Sequence, residues 1–286
     1  MRPRAGGSHV AYEATLVIPV LNQRRSWLRQ CVVSACTQTA RVETIVVTSP
    51  LTQASTLRDL RSLSLRYGGM RILPEERNGF AAALNTGIHA ASAERVGFLL
   101  SDDWLDSRAV EQCVGHEADI VSTGLRGVAD DGVQILDQVS RTPSLDEFRS
   151  LPSLERQASY LQHFLLFKKR ALREVGGVDE QVGLTGPDDF DMIWTLLERG
   201  ASVAIVAAQL YNYRDHSGQR LSLRSVEAQV DDLRKILDKH GVHGAERAKI
   251  IAWHSAAFGL PCHLSVDRRA GLEPPGGQCL SLSFGT

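Results

Sequence analysis

The sequence feature that most constrains the fold is an apolar run that stops at two adjacent aspartates, residues 96–105 (VGFLLSDDWL). An apolar run of this length between polar neighbours is typical of a strand buried on both faces, as in a parallel sheet covered by helices. Ligands of open α/β sheets bind outside the carboxyl ends of the strands, so Asp102 and Asp103 are expected at a functional edge. Their oxygens suit magnesium or manganese. An Asp pair alone is more often a solvated turn or a helix N-cap. The rest of the sequence must therefore show whether this pair has a functional role.

Short β-branched runs alternate with helical apolar stripes over the first hundred residues. Strands are predicted at residues 15–20, 44–47 and 70–73. Helices are predicted between them, the second with Ser55 as its N-cap and the third starting at Asn78-Gly79. This order predicts right-handed crossovers and a parallel sheet. The first strand is followed by Leu-Asn-Gln-Arg-Arg instead of a glycine-rich phosphate loop, which argues against a P-loop nucleotidase and a Rossmann dehydrogenase.

The pattern changes after Trp104. Helices are predicted at 106–116, 168–175, 188–198 and 225–240, and strands at 118–123, 163–167 and 201–207. The polar segment 124–153 is predicted as a hairpin and loop at the mouth of the site. We therefore expect one α/β domain over residues 13–222 and a helical C-terminal extension over 223–266. A flexible N-terminus (1–12) and a loose Gly-, Pro- and Ser-rich tail (267–286) complete the predicted organisation.

Composition limits the classes of protein and partner. The chain has 286 residues, of which 43% are hydrophobic, so it can bury a sizeable core. A formal net charge of −1 gives no sign of a nucleic-acid partner or an anionic membrane surface. None of the five cysteines has metal-ligand spacing, which favours buried thiols in a reducing compartment. With neither a membrane-length apolar stretch nor an apolar secretory signal, the sequence predicts a soluble, cytoplasmic protein without a transmembrane segment.

A series of short motifs then occurs in a fixed order over residues 15–222. The motifs are TLVIPVLNQ, SACTQT, RNGFAAALNTGI, FLLSDDWLD, FKKRALREVGGVDE, GPDDFDMIWTLLERG and LYNYRDHSGQRLS. Each is weak alone, but the whole series resembles the inverting family-2 glycosyltransferases with the GT-A fold. The resemblance implies a mixed sheet flanked by helices and followed by a helical C-terminal appendage. In that fold residues 13–104 form the nucleotide-sugar half and residues 105–222 the acceptor half.

The resemblance also implies a metal site. By this resemblance Asp103 is the metal ligand, and Asp102 faces the ribose or the metal shell. A divalent ion, Mn²⁺ or Mg²⁺, between carboxylate and diphosphate would neutralise the leaving group as the glycosidic bond breaks. The family often has another Asp two positions before this pair, where this chain has Leu100. His216 is implied as a third metal ligand or a diphosphate contact, and Arg214 as a donor contact.

Further donor contacts are expected at the carboxyl ends of the first strands. The candidates are Pro19, Val20, Asn22, Ser49 and Arg77. For Arg77 the competing interpretation is an ordinary exposed loop arginine that contacts no ligand. The family usually ends its second strand with an Asp pair, one of which accepts the N3 proton of uracil, whereas this chain has Thr48-Ser49. Because a hydroxyl accepts that hydrogen bond more weakly than a carboxylate, a UDP-sugar is the default donor, and dTDP and GDP sugars stay open.

Inversion requires one base that deprotonates an acceptor hydroxyl. The family's acidic pair at a helix start supplies it, which by resemblance makes Asp189 the base and Asp188 the alternative. Plain helix capping is the competing interpretation of these acids. Trp104 and Trp194 are acceptor-side candidates that could stack on a sugar face, although a tryptophan at such positions is more often in the core.

The sequence thus predicts a metal-dependent inverting glycosyltransferase that moves a sugar from a nucleotide-diphospho-sugar to a hydroxyl. The acceptor is expected to be a glycan, a lipid-linked molecule or a small molecule, and a homodimer is compatible with the sequence. One alternative is a nucleotidyltransferase. Such an enzyme would need a glycine- and lysine-rich phosphate loop after the first strand, and this sequence has none there. Another is a non-catalytic GT-A-like protein that binds sugar nucleotides. The departures at Leu100 and Thr48 are compatible with such a binding protein. The residues that argue against it are Asp102, Asp103, Asp189 and His216.

Overall fold

A computed structural model describes residues 11–132, 142–182, 188–216, 218, 224–258, 260, 268 and 271–272. Within these residues eight strands form one sheet with the order β3-β2-β1-β4-β7-β6-β8-β5. The strands are β1 (Ala14–Val20), β2 (Val42–Thr48), β3 (Met70–Pro74), β4 (Arg95–Phe98), β5 (Trp104–Leu105), β6 (Ile120–Val128), β7 (Leu165–Lys168) and β8 (Val203–Arg214).

Helices flank this sheet. In chain order the described helices are α1 (Arg25–Cys36), α2 (Ala54–Arg66), α3 (Phe80–Ala90), α4 (Ala109–Val114), α5 (Leu145–Arg149), α6 (Leu154–Tyr160), α7 (Lys169–Glu174), α8 (Asp188–Glu198), α9 (Val226–Lys239) and α10 (Gly244–Ser255). None of the helices in the described ranges is both long and apolar enough to cross a membrane.

The first four strands form a parallel sheet, as the strand–helix order predicted. β1 pairs in parallel with β2 and β4, and β2 pairs in parallel with β3. Every residue of β1 is buried, because both faces of the sheet are covered. Alternate side chains serve opposite layers: Leu16 packs in the cluster that contains Leu28 of α1, whereas Val17 packs in the cluster that contains Leu84 of α3.

The second half makes the sheet mixed. β7 lies antiparallel to both β4 and β6, β8 runs parallel to β6, and β5 lies antiparallel to β8. β8 therefore holds β5 directly after the turn that carries Asp102 and Asp103. This connection brings the acidic turn against the distant segment that contains Tyr211 and Arg214.

Several predicted boundaries were wrong for physical reasons. The strand expected to end at Asp102 ends at Phe98, since the chain turns where the Asp103 N–H donates to the Leu100 carbonyl at 3.1 Å. Ser55 is not an N-cap, because α2 already begins at Ala54. Pairing with each other carries β6 and β8 beyond the predicted ends, to Val128 and Arg214.

The predicted hairpin and loop of 124–153 is only partly described. Its beginning extends β6, and its end contains α5, whose Ser144 and Glu147 form a reciprocal capping box. The helix α6 that follows was not predicted. Residues 1–10, 133–141, 183–187 and 219–223 lie outside the described residues, as does nearly all of the predicted tail from 267.

The C-terminal helices α9 and α10 are part of the main core. Leu233 and Ile236 of α9 and Ile250 of α10 are buried in the same cluster as Phe190 and Ile193 of α8. The amphipathic helix predicted over 225–240 is confirmed as α9. Its buried residues share this cluster with α8, and Lys239 at its C-terminal end bonds to Asp191 of α8 at 2.8 Å, so the region expected as an appendage packs on the helix that begins with Asp188 and Asp189.

Candidate active site

The two aspartates lie in the turn between β4 and β5, where they face in different directions. Asp103 is only 1% exposed. Its Oδ2 accepts a hydrogen bond from the Tyr211 hydroxyl at 2.6 Å, and its Oδ1 accepts one from the Arg214 N–H at 2.7 Å. Burial, together with the neighbouring charge of Asp102, raises the pKa of the Asp103 carboxyl well above its usual range. Asp103, predicted as the metal ligand, is therefore directed into the protein and held by β8.

Asp102 takes the outward position. Its side chain is 21% exposed, and its Oδ2 lies 3.0 Å from Nε2 of His216. The His216 ring packs against the indole of Trp27 with centroids 4.6 Å apart. His216 and Trp27 also line a cavity of about 360 Å³, together with Asn22 and Arg24 of the loop after β1. The structure thus brings His216, predicted as a metal ligand with Asp103, against Asp102 instead, and His216 lies at the cavity beside the end of the first strand.

Arg214 is buried beneath this turn. Its Nε donates to the Asp102 carbonyl at 2.8 Å, and its Nη2 donates to Oε1 of Gln30 at 2.7 Å. The guanidinium lies between the indoles of Trp27 and Trp104, 4.8 Å from each ring centroid. Burial lowers the pKa of Arg214, while the nearby aspartates oppose that shift. The predicted donor contact therefore fixes the backbone of the acidic turn, and Trp104 covers the guanidinium.

The predicted donor contacts at the ends of β1 and β2 form a connected loop structure. Pro19 and Val20 are buried within β1. The Asn22 side chain accepts from the Gln53 N–H at 2.8 Å and donates to the Leu51 carbonyl at 3.3 Å, which ties the two loops together. Ser49 Oγ accepts from the Leu51 N–H at 3.2 Å. Asn22 and Ser49 thus shape this edge of the sheet.

Arg77 lies in a different environment. It pairs with Glu180, whose carboxylate also accepts a hydrogen bond from Asn85 at 2.9 Å. The Arg77 guanidinium lowers the pKa of Glu180 to about 2. These residues line a second cavity of about 310 Å³ with His89 and Lys239. The structure therefore gives Arg77 an ion-pair partner outside the set of residues that lines the His216 cavity.

The acidic pair that opens α8 is divided in the same way as the first pair. Asp188 is 3% exposed, whereas the Asp189 side chain is 50% exposed. Asp189 Oδ1 accepts from the Phe190 N–H at 2.8 Å, and its Oδ2 lies 3.2 Å from Nε2 of His163.

The acceptor-side position predicted for Trp194 does not match the structure. Trp194 is buried and stacks on His240, the residue that follows α9, with centroids 4.2 Å apart.

Sequence reasoning missed three residues that connect these parts. The His163 ring packs on the Tyr211 ring with centroids 5.1 Å apart, and the Tyr211 hydroxyl donates to Asp103. A continuous series of contacts therefore runs from Asp189 through His163 and Tyr211 to the first acidic turn. Trp27 is the third missed residue. Only His163 could have been found from the sequence, since it is a histidine immediately before an apolar strand. Tyr211 and Trp27 look like ordinary strand and helix residues in the sequence.

Comparison with known proteins identifies the family. A sequence model described as Glycosyl transferase family 2 matches residues 15–176, more than half of the chain. This chain belongs to glycosyl transferase family 2. The matched segment contains Asp102 and Asp103 of the first acidic turn. It ends before α8 and β8, so Asp189 and His216 lie beyond it.

The family-2 chain also resembles individual proteins. It is 29% identical over 210 residues to the O-antigen biosynthesis protein RfbC of Myxococcus xanthus, an alignment that covers 73% of this chain and 16% of RfbC. It is 30% identical over 210 residues to the pre-mycofactocin glycosyltransferase of Mycobacterium tuberculosis, which covers 70% of this chain and 42% of that protein. The chain thus spans less than half the length of either relative.

Solved structures confirm the fold. Residues 1–349 of Staphylococcus aureus TarS, in complex with UDP-GlcNAc, superpose with a TM-score of 0.63 at 18% identity, over 85% of this chain and 71% of that one. The family-2 chain therefore has the GT-A fold that the motifs implied, with a mixed sheet flanked by helices.

Proposed function

We propose that this family-2 protein transfers a sugar from a nucleotide-diphospho-sugar to an acceptor hydroxyl, with inversion and with the help of a divalent ion. The observation that carries the proposal is that two carboxylates reach solvent, those of Asp102 and Asp189. Contacts of Asp189 with His163, of His163 with Tyr211 and of Tyr211 with Asp103 join Asp189 to the turn that carries Asp102. One carboxylate suits the charge of the leaving diphosphate, and the other suits the proton of the acceptor. A binding protein has no need of the second carboxylate.

Asp102 and His216 are the residues that would hold the ion. Among the described residues no three His, Cys, Asp or Glu side chains converge on one point, so substrate phosphates would have to complete the coordination. The Asp102 carboxylate and the His216 imidazole lie side by side, with Oδ2 3.0 Å from Nε2, and both are groups that manganese accepts as ligands. Asp103, already engaged by Tyr211 and Arg214, is better suited to holding the turn.

When bound, the ion would compensate the negative charge that develops on the departing diphosphate. The protein's own contribution at this end is rigidity. Arg214 fixes the Asp102 carbonyl, Asp103 fixes the Arg214 backbone, and Trp27 supports the His216 ring. Each contact limits the reorganisation that the site would otherwise undergo as the bond breaks.

Asp189 is the proposed base. Its exposed carboxylate can accept the proton of the acceptor hydroxyl while that oxygen attacks the anomeric carbon on the face opposite the diphosphate. A bond forms between the acceptor oxygen and the anomeric carbon. The bond from that carbon to the diphosphate oxygen breaks, and its electron pair leaves with the nucleotide. Asp188 is a poor candidate for this step because it is buried.

A UDP-sugar is the proposed donor. TarS, which has the same fold, has been crystallised with UDP-GlcNAc and with UDP. The Thr48 hydroxyl donates into the sheet, to the Leu73 carbonyl at 3.3 Å, so Ser49 is the more accessible of the two hydroxyls that replace the family's aspartates. dTDP- and GDP-sugars therefore belong in the same donor screen. The acceptor classes, the homodimer and the cytoplasmic location expected from the sequence stay predictions.

Donor turnover tests the proposal. A panel of UDP-, dTDP- and GDP-sugars is screened by nucleotide release with Mn²⁺, with Mg²⁺ and with EDTA. We expect release with a preferred donor that EDTA abolishes. Asp189→Asn then separates catalysis from helix capping, because Asn caps a helix about as well as Asp but does not act as the base. General-base catalysis typically contributes about 100- to 10,000-fold, so kcat should fall by that factor, with Mn²⁺-dependent UDP binding unchanged.

The matched control is Asp146→Asn. Asp146 is an exposed acid in the first turn of α5, and it should turn over like wild type. Normal turnover by Asp189→Asn would show that Asp189 serves only the first turn of α8. Donor binding without metal-dependent release in wild type would favour the non-catalytic alternative.

A further inference from the structure

The backbone on both sides of His163 is hydrogen-bonded to β6. The Ser122 hydroxyl donates to the Gln162 carbonyl at 2.7 Å. The Phe164 N–H donates to the Thr123 hydroxyl at 2.7 Å, and the Thr123 N–H donates to the Phe164 carbonyl at 3.0 Å. Both β6 residues are fully buried. The segment before β7 therefore presents the His163 side chain from a rigid support.

The imidazole ring is held between two side chains. Tyr211 packs on one side, and Nε2 lies 3.2 Å from Oδ2 of Asp189. The other nitrogen, Nδ1, is buried and has no hydrogen-bond partner within the described part of the chain. A proton on Nδ1 would leave a buried donor unpaired and would point the lone pair of Nε2 at the carboxylate. The favourable tautomer thus carries its proton on Nε2 and donates it to Asp189.

We propose that His163 is a positioning residue that orients the Asp189 carboxylate towards the acceptor hydroxyl. This inference rests on the proposed role of Asp189 as the base. A half-exposed aspartate at the start of a helix can adopt several rotamers, and a hydrogen bond from a fixed ring selects one of them. Each carboxylate oxygen has two lone pairs, so oxygens already bonded to His163 and Phe190 can still take the acceptor's proton.

Substitutions at His163 separate hydrogen bonding from packing. His163→Phe keeps a ring against Tyr211 but removes the donor, and His163→Gln places an amide donor near the position of Nε2. Loss of alignment of a reacting group costs up to about 100-fold, so kcat for nucleotide release should fall about 10- to 100-fold in His163→Phe. His163→Gln should recover most of that loss. His163→Asn, whose amide is too short to reach, should not recover it.

Two readouts and one control variant distinguish positioning from a general structural role. The Kd for UDP with Mn²⁺, measured by calorimetry, should stay within about twofold of wild type in every His163 variant, since the defect lies at the acceptor end. His163→Phe should add little to Asp189→Asn, because both changes remove one function. His89→Phe, at an exposed histidine of α3 (side chain 57% exposed), is the control and should turn over normally.

The outcomes also separate this inference from the proposed function. A slow Asp189→Asn with a normal His163→Phe overturns the role of His163 alone. A normal Asp189→Asn overturns the proposed base. Equal losses in His163→Phe and His163→Gln, or a loss of UDP binding in both, would show that His163 acts through packing.

Discussion

Exchanging each member of the first acidic pair for alanine should separate folding from ion binding. The two side chains are neighbours in sequence, but Asp103 is buried and Asp102 reaches solvent. Asp103→Ala removes the acceptor of two buried hydrogen bonds, and Asp102→Ala removes one partner of His216. The first change should therefore reduce stability, and the second should reduce metal-dependent binding of the donor.

The structure sets the size of the two effects. Asp103→Ala removes the acceptor of two buried donors, the Tyr211 O–H and the Arg214 N–H, at a cost of about 1–3 kcal/mol each. The free energy of unfolding should fall by about 2–6 kcal/mol, and at about 2 °C per kcal/mol for a chain of this size Tm should fall by about 4–12 °C. Asp102→Ala loses a single partly exposed hydrogen bond, worth about 0.5–1.5 kcal/mol, so Tm should change by about 1–3 °C.

Two measurements distinguish a structural role of Asp103 from a metal-binding role of Asp102. Thermal unfolding without ligand reports the stability of each variant, and calorimetry of UDP with Mn²⁺ or with EDTA reports the ion-dependent affinity. Loss of a direct ligand should weaken UDP binding in Mn²⁺ by about tenfold or more in Asp102→Ala, whereas binding in EDTA should be unchanged. The reasoning is refuted if Asp103→Ala keeps its Tm and loses Mn²⁺-dependent binding while Asp102→Ala keeps that binding. Asp103 would then be the ligand, as the family resemblance alone suggested.

Two further substitutions test other parts of the structure. Arg77→Gln should leave UDP affinity unchanged, because Arg77 pairs with Glu180 away from the His216 cavity. Arg77 depresses the pKa of Glu180 to about 2, so the pair stabilises the fold above about pH 4.3 and loses that contribution as the pH falls towards 2. The Tm difference between wild type and Arg77→Gln should therefore be present at pH 7 and close by about pH 2; a pH-independent difference would contradict this. Gly97→Ala places a Cβ 2.6 Å from the Phe164 ring, so unfolding free energy should fall by about 1–3 kcal/mol, while the control Gly115→Ala, whose Cβ meets nothing within 4 Å, should unfold like wild type.

Local periodicity was enough to predict much of the sheet. β1 was recognisable because a β-branched run has to be covered on both faces, and α1 because its apolar residues recur every four positions. Both signals are contained in one short segment. The prediction that Asp102 lies near the carboxyl end of a buried strand came from the same local rule.

The direction of each acidic side chain depends on residues far away in the chain. Asp103 faces inward because Tyr211, 108 positions later, donates to it from β8. The contact between His163 and Asp189 depends on how β7 pairs with β6 and on where α8 begins, and neither follows from local pattern. Trp194 was an acceptor-side candidate because a tryptophan can stack on a sugar, with the core as the alternative. The sequence does not show that His240 would cover it.

The contacts between α8 and the end of α9 limit where the chain can be truncated without exposing buried side chains. Asp191 of α8 is buried and bonds to Lys239 at 2.8 Å and to His240 at 3.1 Å, next to the stack of Trp194 on His240. A truncation after Arg214 would retain the first acidic turn, α8 and β8, yet it would uncover a buried carboxylate and an indole on the helix that begins with the proposed base. We therefore expect that α9 and α10 cannot be exchanged as an independent module, and that changes at Trp194 and His240 accompany one another among relatives.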